Sequence, residues 1–298
     1  MKRMINFLAA AALLLGLVGC AAPREEAQVA ATTLPVYEFT SRLCEGTGIT
    51  VTRLVTESVS CLHDYSLNVN QVRAVEAAAL IVVSGAGLEE FMEDVLEGKT
   101  AIDASQGIAL LQPEEHHHDH EHEEEESHEG HHHEEDPHIW LSPVHAAAMA
   151  RNICDGLTAQ YPAYAEIFAA NLQTLTEELE ALNAYGEAQL ADLSCRELIT
   201  FHDGFAYLAD SFDLTILRAV EEESGSEASA AELIELIEEV EHHSLPAIFT
   251  EVGGSVSAAG VIARETGAAS YALDMAMGGD SYFDAMYHNI DTLKEALE

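Results

Sequence analysis

Side chains able to hold a metal ion occur in two settings in this chain. The first is a tract. From Glu114 to Glu135 the sequence reads EEHHHDHEHEEEESHEGHHHEE, with nine histidines (His116, His117, His118, His120, His122, His128, His131, His132 and His133) among eleven Asp and Glu and no apolar residue. Imidazole is a common ligand for zinc and other transition metals, and histidine-rich tracts point to metal binding. A run this polar cannot bury enough surface to offset the entropy of ordering it, so a mobile loop is expected. A solvated acidic spacer has much the same composition; the density of histidine favours the metal reading. The second setting is dispersed: His63, His138, His202 and Asp274, separated by 75, 64 and 72 residues. Those intervals are too long for a zinc finger or a helix-borne HExxH pair. A site made from these four must be assembled by the fold.

The elements that would position them alternate. Strand-like runs are expected at Val29–Leu34, Ile49–Val55, Leu80–Val83 and Thr100–Ala104, and helical spacing at Val36–Cys44, Asn68–Ala78 and Leu88–Leu96. Pro143 suits the first turn of a helix reaching to Gln160. After Pro162 a longer helix carries one apolar stripe, Tyr164, Phe168, Leu172, Leu175, Leu179 and Leu182, and runs to about Leu190. At 1.5 Å per residue it would be roughly 40–45 Å long, enough to run the length of a two-lobed protein. The alternation then resumes, with strands expected at Glu197–Phe201, Leu214–Ala219, Ala247–Thr250 and Ala268–Leu273, and helices at Gly204–Phe212, Ala230–His243, Val256–Thr266 and Tyr282–Leu297. The fold class expected is α/β: two lobes with mainly parallel sheets joined by one long helix. In open sheets of this kind ligands bind beyond the carboxyl ends of strands. His63 follows the second strand through a short loop, His202 follows Phe201, Asp274 follows Leu273, and His138 opens the helices after the tract.

The bulk composition restricts partners. Twelve Lys and Arg stand against 53 Asp and Glu, a formal net charge of −41, which excludes the basic face that nucleic-acid binding needs. With 48% hydrophobic residues the chain can build a substantial core. Lys2 and Arg3 precede an apolar run from Ile5 to Val18, too short to span a bilayer comfortably. It ends in Leu17-Val18-Gly19-Cys20, which resembles the lipobox of bacterial lipoproteins and implies cleavage before Cys20 and lipidation there. The other cysteines, Cys44, Cys61, Cys154 and Cys195, permit three disulfide connectivities in an oxidising compartment. Cys44–Cys61 with Cys154–Cys195 keeps each pair within one half of the chain and is the expected arrangement. A thiolate ligand at Cys61, two residues before His63, is the competing reading.

Taken together, His63-Asp64-Tyr65, Gly85-Ala86-Gly87-Leu88-Glu89, Asp136-Pro137-His138-Ile139-Trp140, Thr200-Phe201-His202-Asp203, Ile248-Phe249-Thr250-Glu251, Leu273-Asp274 and the terminal Tyr282, Asn289 and Leu293 resemble the metal-binding lipoproteins of ABC importers, in their zinc-binding type with a histidine-rich loop. The resemblance extends from about Thr32 to Leu297. It implies a single metal ion between two lobes, with His63, His138 and His202 as ligands and Asp274 as the fourth. Related manganese binders carry a carboxylate at the third position, where this chain has His202. Three imidazoles completed by a carboxylate or water suit four-coordinate zinc better than a harder, octahedral ion such as manganese. Asp203 and Glu251 are candidates for orienting a ligand imidazole. Ser142 stands where the family often has Asp, Ala228 where a Pro is common, and Ser66-Leu67-Asn68 where Glu-Pro-Ser is usual.

The organisation this implies is a signal peptide (1–19), a lipidated tether (20–31), a first α/β lobe (32–160) containing the tract (114–135), a connecting helix (161–193) and a second lobe (194–298). The function implied is an extracytoplasmic, membrane-tethered, monomeric receptor that passes zinc to a membrane permease and is not an enzyme. A manganese receptor of the same family is the alternative. A zinc hydrolase is a further one, with Asp203 or Glu251 as base, although the sequence contains no nucleophile elbow.

Overall fold

The computed structural model describes residues 28–57, 62, 65–111, 135–220 and 229–298. The expected signal segment, Cys20, Cys61, His63 and the histidines of the acidic tract lie outside the described residues. Short runs of Val, Ile, Ala, Leu and Thr form the strands β1 (Gln28–Ala31), β2 (Thr50–Arg53), β3 (Leu80–Val83) and β4 (Ala101–Asp103), followed by β5 (Glu197–Thr200), β6 (Thr215–Ala219), β7 (Ala247–Glu251) and β8 (Ala269–Leu273). Every strand pair is parallel. The first sheet has the order β2-β1-β3-β4 and the second β6-β5-β7-β8, so the two lobes repeat one topology. Parallel sheets need crossovers that cover both faces, which is why Leu80-Ile81-Val82-Val83 is buried throughout rather than alternating.

The crossovers are α1 (Leu34–Leu43), α2 (Val69–Ala77) and α3 (Glu93–Leu96) in the first lobe. In the second they are α6 (Ala206–Ser211), α7 (Ala230–His243) and α8 (Ser257–Thr266), and α9 (Tyr282–Leu297) follows β8. Between them run α4 (Pro143–Gln160) and α5 (Ala165–Gln189). Two of the departures from the family pattern turn out to preserve helix starts. Ser142 caps α4 by accepting from the His145 N–H, and Asn68 forms a capping box with Gln71 at the start of α2.

The long helix α5 is the expected bridge. Its 25 residues make it about 37 Å long, and its stripe of Phe168, Leu175, Leu179 and Leu182 is buried. It packs on α1 and α4 of the first lobe and on α9 of the second. Near its end Gly186 is obligatory on steric grounds, since a Cβ there would lie 2.3 Å from the ring of Phe212. One hydrophobic core runs through both lobes, from Val29 and Phe39 through Trp140, Phe168 and Leu182 to Phe249, Tyr282 and Leu297. Two smaller cores lie on the other faces of the sheets.

Two expectations need correction. The helix expected over Leu88–Leu96 is a 3₁₀ turn (Glu90–Met92) leading into the single turn of α3. The cause is Glu89, whose side chain turns inward to accept from Thr32 Oγ1 (2.6 Å), the Ser84 N–H (2.7 Å) and the Gly85 N–H (3.0 Å). The disulfides are not formed: Cys44, Cys154 and Cys195 are free thiols. Cys154 is packed into the core from α4, while the Cys195 thiol donates to Glu197 O at 3.4 Å at the entry to β5. Burial pushes the Cys44 thiol up to about 12, which suppresses the thiolate that disulfide exchange and metal binding require.

Burial also raises Glu89, to about 7 against an ordinary 4.5, with neighbouring Asp103 adding to the effect and its three donors opposing it. Below pH 4.5 the group is neutral in folded and unfolded chains alike. As pH rises from 4.5 to 7 the unfolded chain gains by ionising, so the folded state loses stability, and above 7 the loss is complete. The difference amounts to about 3 kcal/mol. Glu89→Gln is therefore expected to abolish this part of the pH dependence, leaving a constant offset. Urea unfolding of both metal-free proteins from pH 5 to 8 checks it.

Candidate metal centre

In each sheet the strand order reverses beside the first strand, between β1 and β3 and between β5 and β7. Such a reversal opens a crevice at the carboxyl ends of the strands. In the first lobe that crevice is filled by Glu89 and by Thr33 and Ser84, whose hydroxyls are 2.9 Å apart. In the second lobe it carries His202, just past β5, and Glu251, the last residue of β7. His202 Nδ1 and Glu251 Oε2 are 3.9 Å apart, an electrostatic contact longer than a hydrogen bond. The Thr200 hydroxyl donates to His202 O at 3.1 Å and fixes the turn. Gly204 allows the chain to pass beneath the imidazole: a Cβ there would come within 2.8 Å of His202 Cδ2 and 2.6 Å of Met275 Cε.

His138 reaches the same place from the other lobe. It precedes the 3₁₀ turn Ile139–Leu141, is 4% exposed, and its ring centroid lies 5.5 Å from that of His202 in an edge-to-face arrangement. Asp136 Oδ1 accepts both the main-chain N–H and the ring Nδ1–H of His138, each at 2.8 Å. Because a carboxylate only accepts, the proton is fixed on Nδ1 and the Nε2 lone pair is left for a metal. Asp136 is itself held. Its N–H donates to Leu111 O at 3.0 Å, and the Tyr207 hydroxyl donates to Asp136 O at 3.0 Å while accepting from the Leu111 N–H at 2.9 Å. Tyr207, buried on α6, thus pins both described ends flanking the acidic tract to the second lobe.

Asp274 follows β8. Its N–H donates to Asn289 Oδ1 at 2.6 Å, Asn289 Nδ2 donates to its carbonyl at 2.7 Å, and its own Oδ1 accepts from the Ala276 N–H at 2.8 Å. The loop it opens is tied to the first lobe. Trp140 Nε1 donates to Met275 O at 2.8 Å, and the Tyr282 hydroxyl donates to Trp140 O at 2.8 Å. The structure therefore brings His138 and His202 together, with Glu251 beside His202. Among the described residues no three His, Cys, Asp or Glu side chains form a group able to hold a metal. His63 lies outside those residues, as does Asp64, but Leu62 and Tyr65 do not: Leu62 is buried, and Tyr65 donates to Glu57 Oε2 at 2.7 Å while accepting from Gln71 Nε2 at 2.5 Å. Asp203 is exposed in the turn after His202. Sequence reasoning missed Asp136 as the residue that orients an imidazole. The signal was its position two residues before His138, where a side chain can reach forward to the N–H and ring of residue i+2.

The model of the family described as "Zinc-uptake complex component A periplasmic" (ZnuA) matches residues 29–296. A Treponema pallidum protein is 30% identical over 264 residues, covering 86% of this chain and 83% of the relative. The zinc-binding lipoprotein AdcA of Streptococcus pneumoniae is 31% identical over 313 residues, covering 99% of this chain and 61% of its own length, so this chain spans about three fifths of that relative. A crystal structure of ZnuA superposes with a TM-score of 0.76 at 27% identity, covering 91% of this chain and 99% of the other. The Zn(II)-bound ZnuA-like domain of Streptococcus pneumoniae AdcA gives 0.75 at 26% identity, covering 91% and 99%. With its two four-stranded parallel lobes, its bridging helix and a family match over nearly the whole described chain, this protein belongs to the ZnuA family of zinc-uptake components.

Proposed function

We propose that the protein is an extracytoplasmic receptor that binds one Zn(II) tightly between its lobes and delivers it to the permease of an ABC importer. The observation that carries this reading is the edge-to-face pair of His138 and His202 at the crevice between β5 and β7, one imidazole from each side. In this reading His63, His138, His202 and Asp274 bind the ion. Asp136 holds the tautomer of His138, and Glu251 lies beside the ring of His202. Imidazole at position 202 favours zinc over manganese. The acidic tract is an accessory store of weakly held ions, Cys20 the site of a lipid anchor, and the monomer the working form. The divisions at 160/161 and 193/194 separate the lobes from the bridge. A hydrolase is disfavoured because a receptor that closes four ligands around its ion leaves no open position for an activated water. Among the described residues no helix is long and apolar enough to cross a membrane, and the proposed attachment does not require one.

Calorimetry tests this reading: zinc titrated into the full chain should show one tight site and several weak ones, and removing residues 114–135 should abolish only the weak class. Manganese should fail to displace zinc from the tight site. A single class of sites, unchanged by the removal, would reject the division of roles. Asp136→Ala is expected to weaken the tight site by about 10–100-fold, as loss of a ligand's orienting carboxylate does. Competition against a chelator measures it.

A further inference from the structure

The loop from Asp274 to Tyr282 belongs to the second lobe, yet much of its bonding comes from the first. Besides the Trp140 bond to Met275 O, Glu38 Oε2 accepts from the Tyr282 N–H at 2.6 Å, and Arg53 makes the widest reach. Arg53 is the last residue of β2. Its Nη1 donates to Gly279 O at 2.7 Å and its Nη2 to Met277 O, while its Nε donates to Val55 O at 2.6 Å. Val55 lies on the stem that leads from β2 toward His63. The groups whose charge reaches the guanidinium divide in the same way, Asp280 on the loop and Glu57 and Tyr37 on the first lobe. Glu57 in turn is tied to Tyr65 and to the α2 residue Gln71. One rigid, planar group thus holds the stem of one expected ligand and the loop of another. It sits at the partly exposed rim, whereas the bonds of Trp140 and Tyr282 are buried.

We propose that Arg53 is a positioning residue for metal retention, its guanidinium fastening the β2 stem to the Asp274 loop so that separation of the two segments, and hence release of the ion, requires its two bonds to the loop to break. The inference rests on the proposed zinc site. Its chemistry depends on the fork: three N–H donors aimed at three main-chain carbonyls in fixed directions, which an ammonium can match only in part.

The test is the rate at which zinc leaves the full-length protein, followed by rapid mixing with excess chromogenic chelator. Arg53→Gln is expected to release zinc about 10–100-fold faster, the range seen when a support behind a ligand is lost. Arg53→Lys, which keeps one donor within reach, should fall between Arg53→Gln and the unaltered protein. Arg218→Gln, which removes ion pairs to Glu235 and Glu239 in the second lobe, should leave the rate unchanged. A wild-type release rate in Arg53→Gln would overturn the proposal, as would a lower melting temperature of the metal-free protein without faster release. If Arg53→Gln fails to fold, Arg53→Lys decides alone, with wild-type release counting against the proposal. His202→Ala run alongside separates the two readings: tight zinc binding retained there refutes the site itself, whereas zinc lost there with Arg53→Gln unchanged refutes only the role of Arg53.

Discussion

His202→Ala is expected to lower zinc affinity by more than ~100-fold while leaving the fold intact, because a ligand should cost more than the about 10–100-fold typical of the groups behind it. His202 sits in a turn past β5 outside the hydrophobic cores, and the surrounding main chain is held by Thr200 and β7. His138→Ala should be equally damaging to affinity but more costly to stability, since that imidazole is buried against Trp140 and accounts for the bond to Asp136. Competition titration with a chelator, together with thermal melts of the metal-free proteins, separates the two effects. Full affinity in either variant would remove that histidine from the site.

The second large effect concerns Trp140. Its ring is wholly buried at the junction of the lobes, its Nε1–H is bonded to Met275 O, and its carbonyl accepts the Tyr282 hydroxyl. Trp140→Ala is expected to cost about 3–5 kcal/mol of stability, the range for deleting a buried aromatic. Trp140→Phe retains most of the packing and should cost about 1–3 kcal/mol, the consequence of leaving Met275 O unsatisfied. Urea unfolding of the metal-free proteins measures both. Because Trp140 lies two residues past His138 and bonds one residue past Asp274, zinc binding should weaken in parallel with stability.

Much of this architecture is legible in the residues because α/β folds repeat a strong local pattern. Leu80-Ile81-Val82-Val83 reads as a buried parallel strand, and that is what it is. The stripe from Tyr164 to Leu182 announces one helix; α5 carries it from Phe168 onward, and Tyr164 closes the 3₁₀ turn that precedes it. What local pattern misses is where a polar side chain turns. Glu89 has the spacing of a helical residue, but three donors beyond the ends of β1 and β3 draw its carboxylate inward and leave only a 3₁₀ turn. The disulfide expectation failed for a related reason: sequence gives the number of cysteines but not the direction of their side chains, and Cys154 faces the core from α4. In the candidate site, the placement of His202 past a strand follows from topology. Its meeting with His138 depends on the packing of two lobes that are 64 residues apart at these points, and no local signal encodes that. The roles of Asp136, Gly204 and Arg53 are of the same kind, visible only once distant segments have been brought together.

In the proposed site one zinc ion sits at the meeting of His138 and His202 and is completed by His63 and Asp274. Crystals of the zinc-loaded protein, measured on both sides of the zinc absorption edge, test it most directly. One strong anomalous peak is expected about 2.0–2.1 Å from nitrogens of His63, His138 and His202, with an Asp274 oxygen at a similar distance. A strong peak elsewhere, with these three imidazoles uncoordinated, would contradict it.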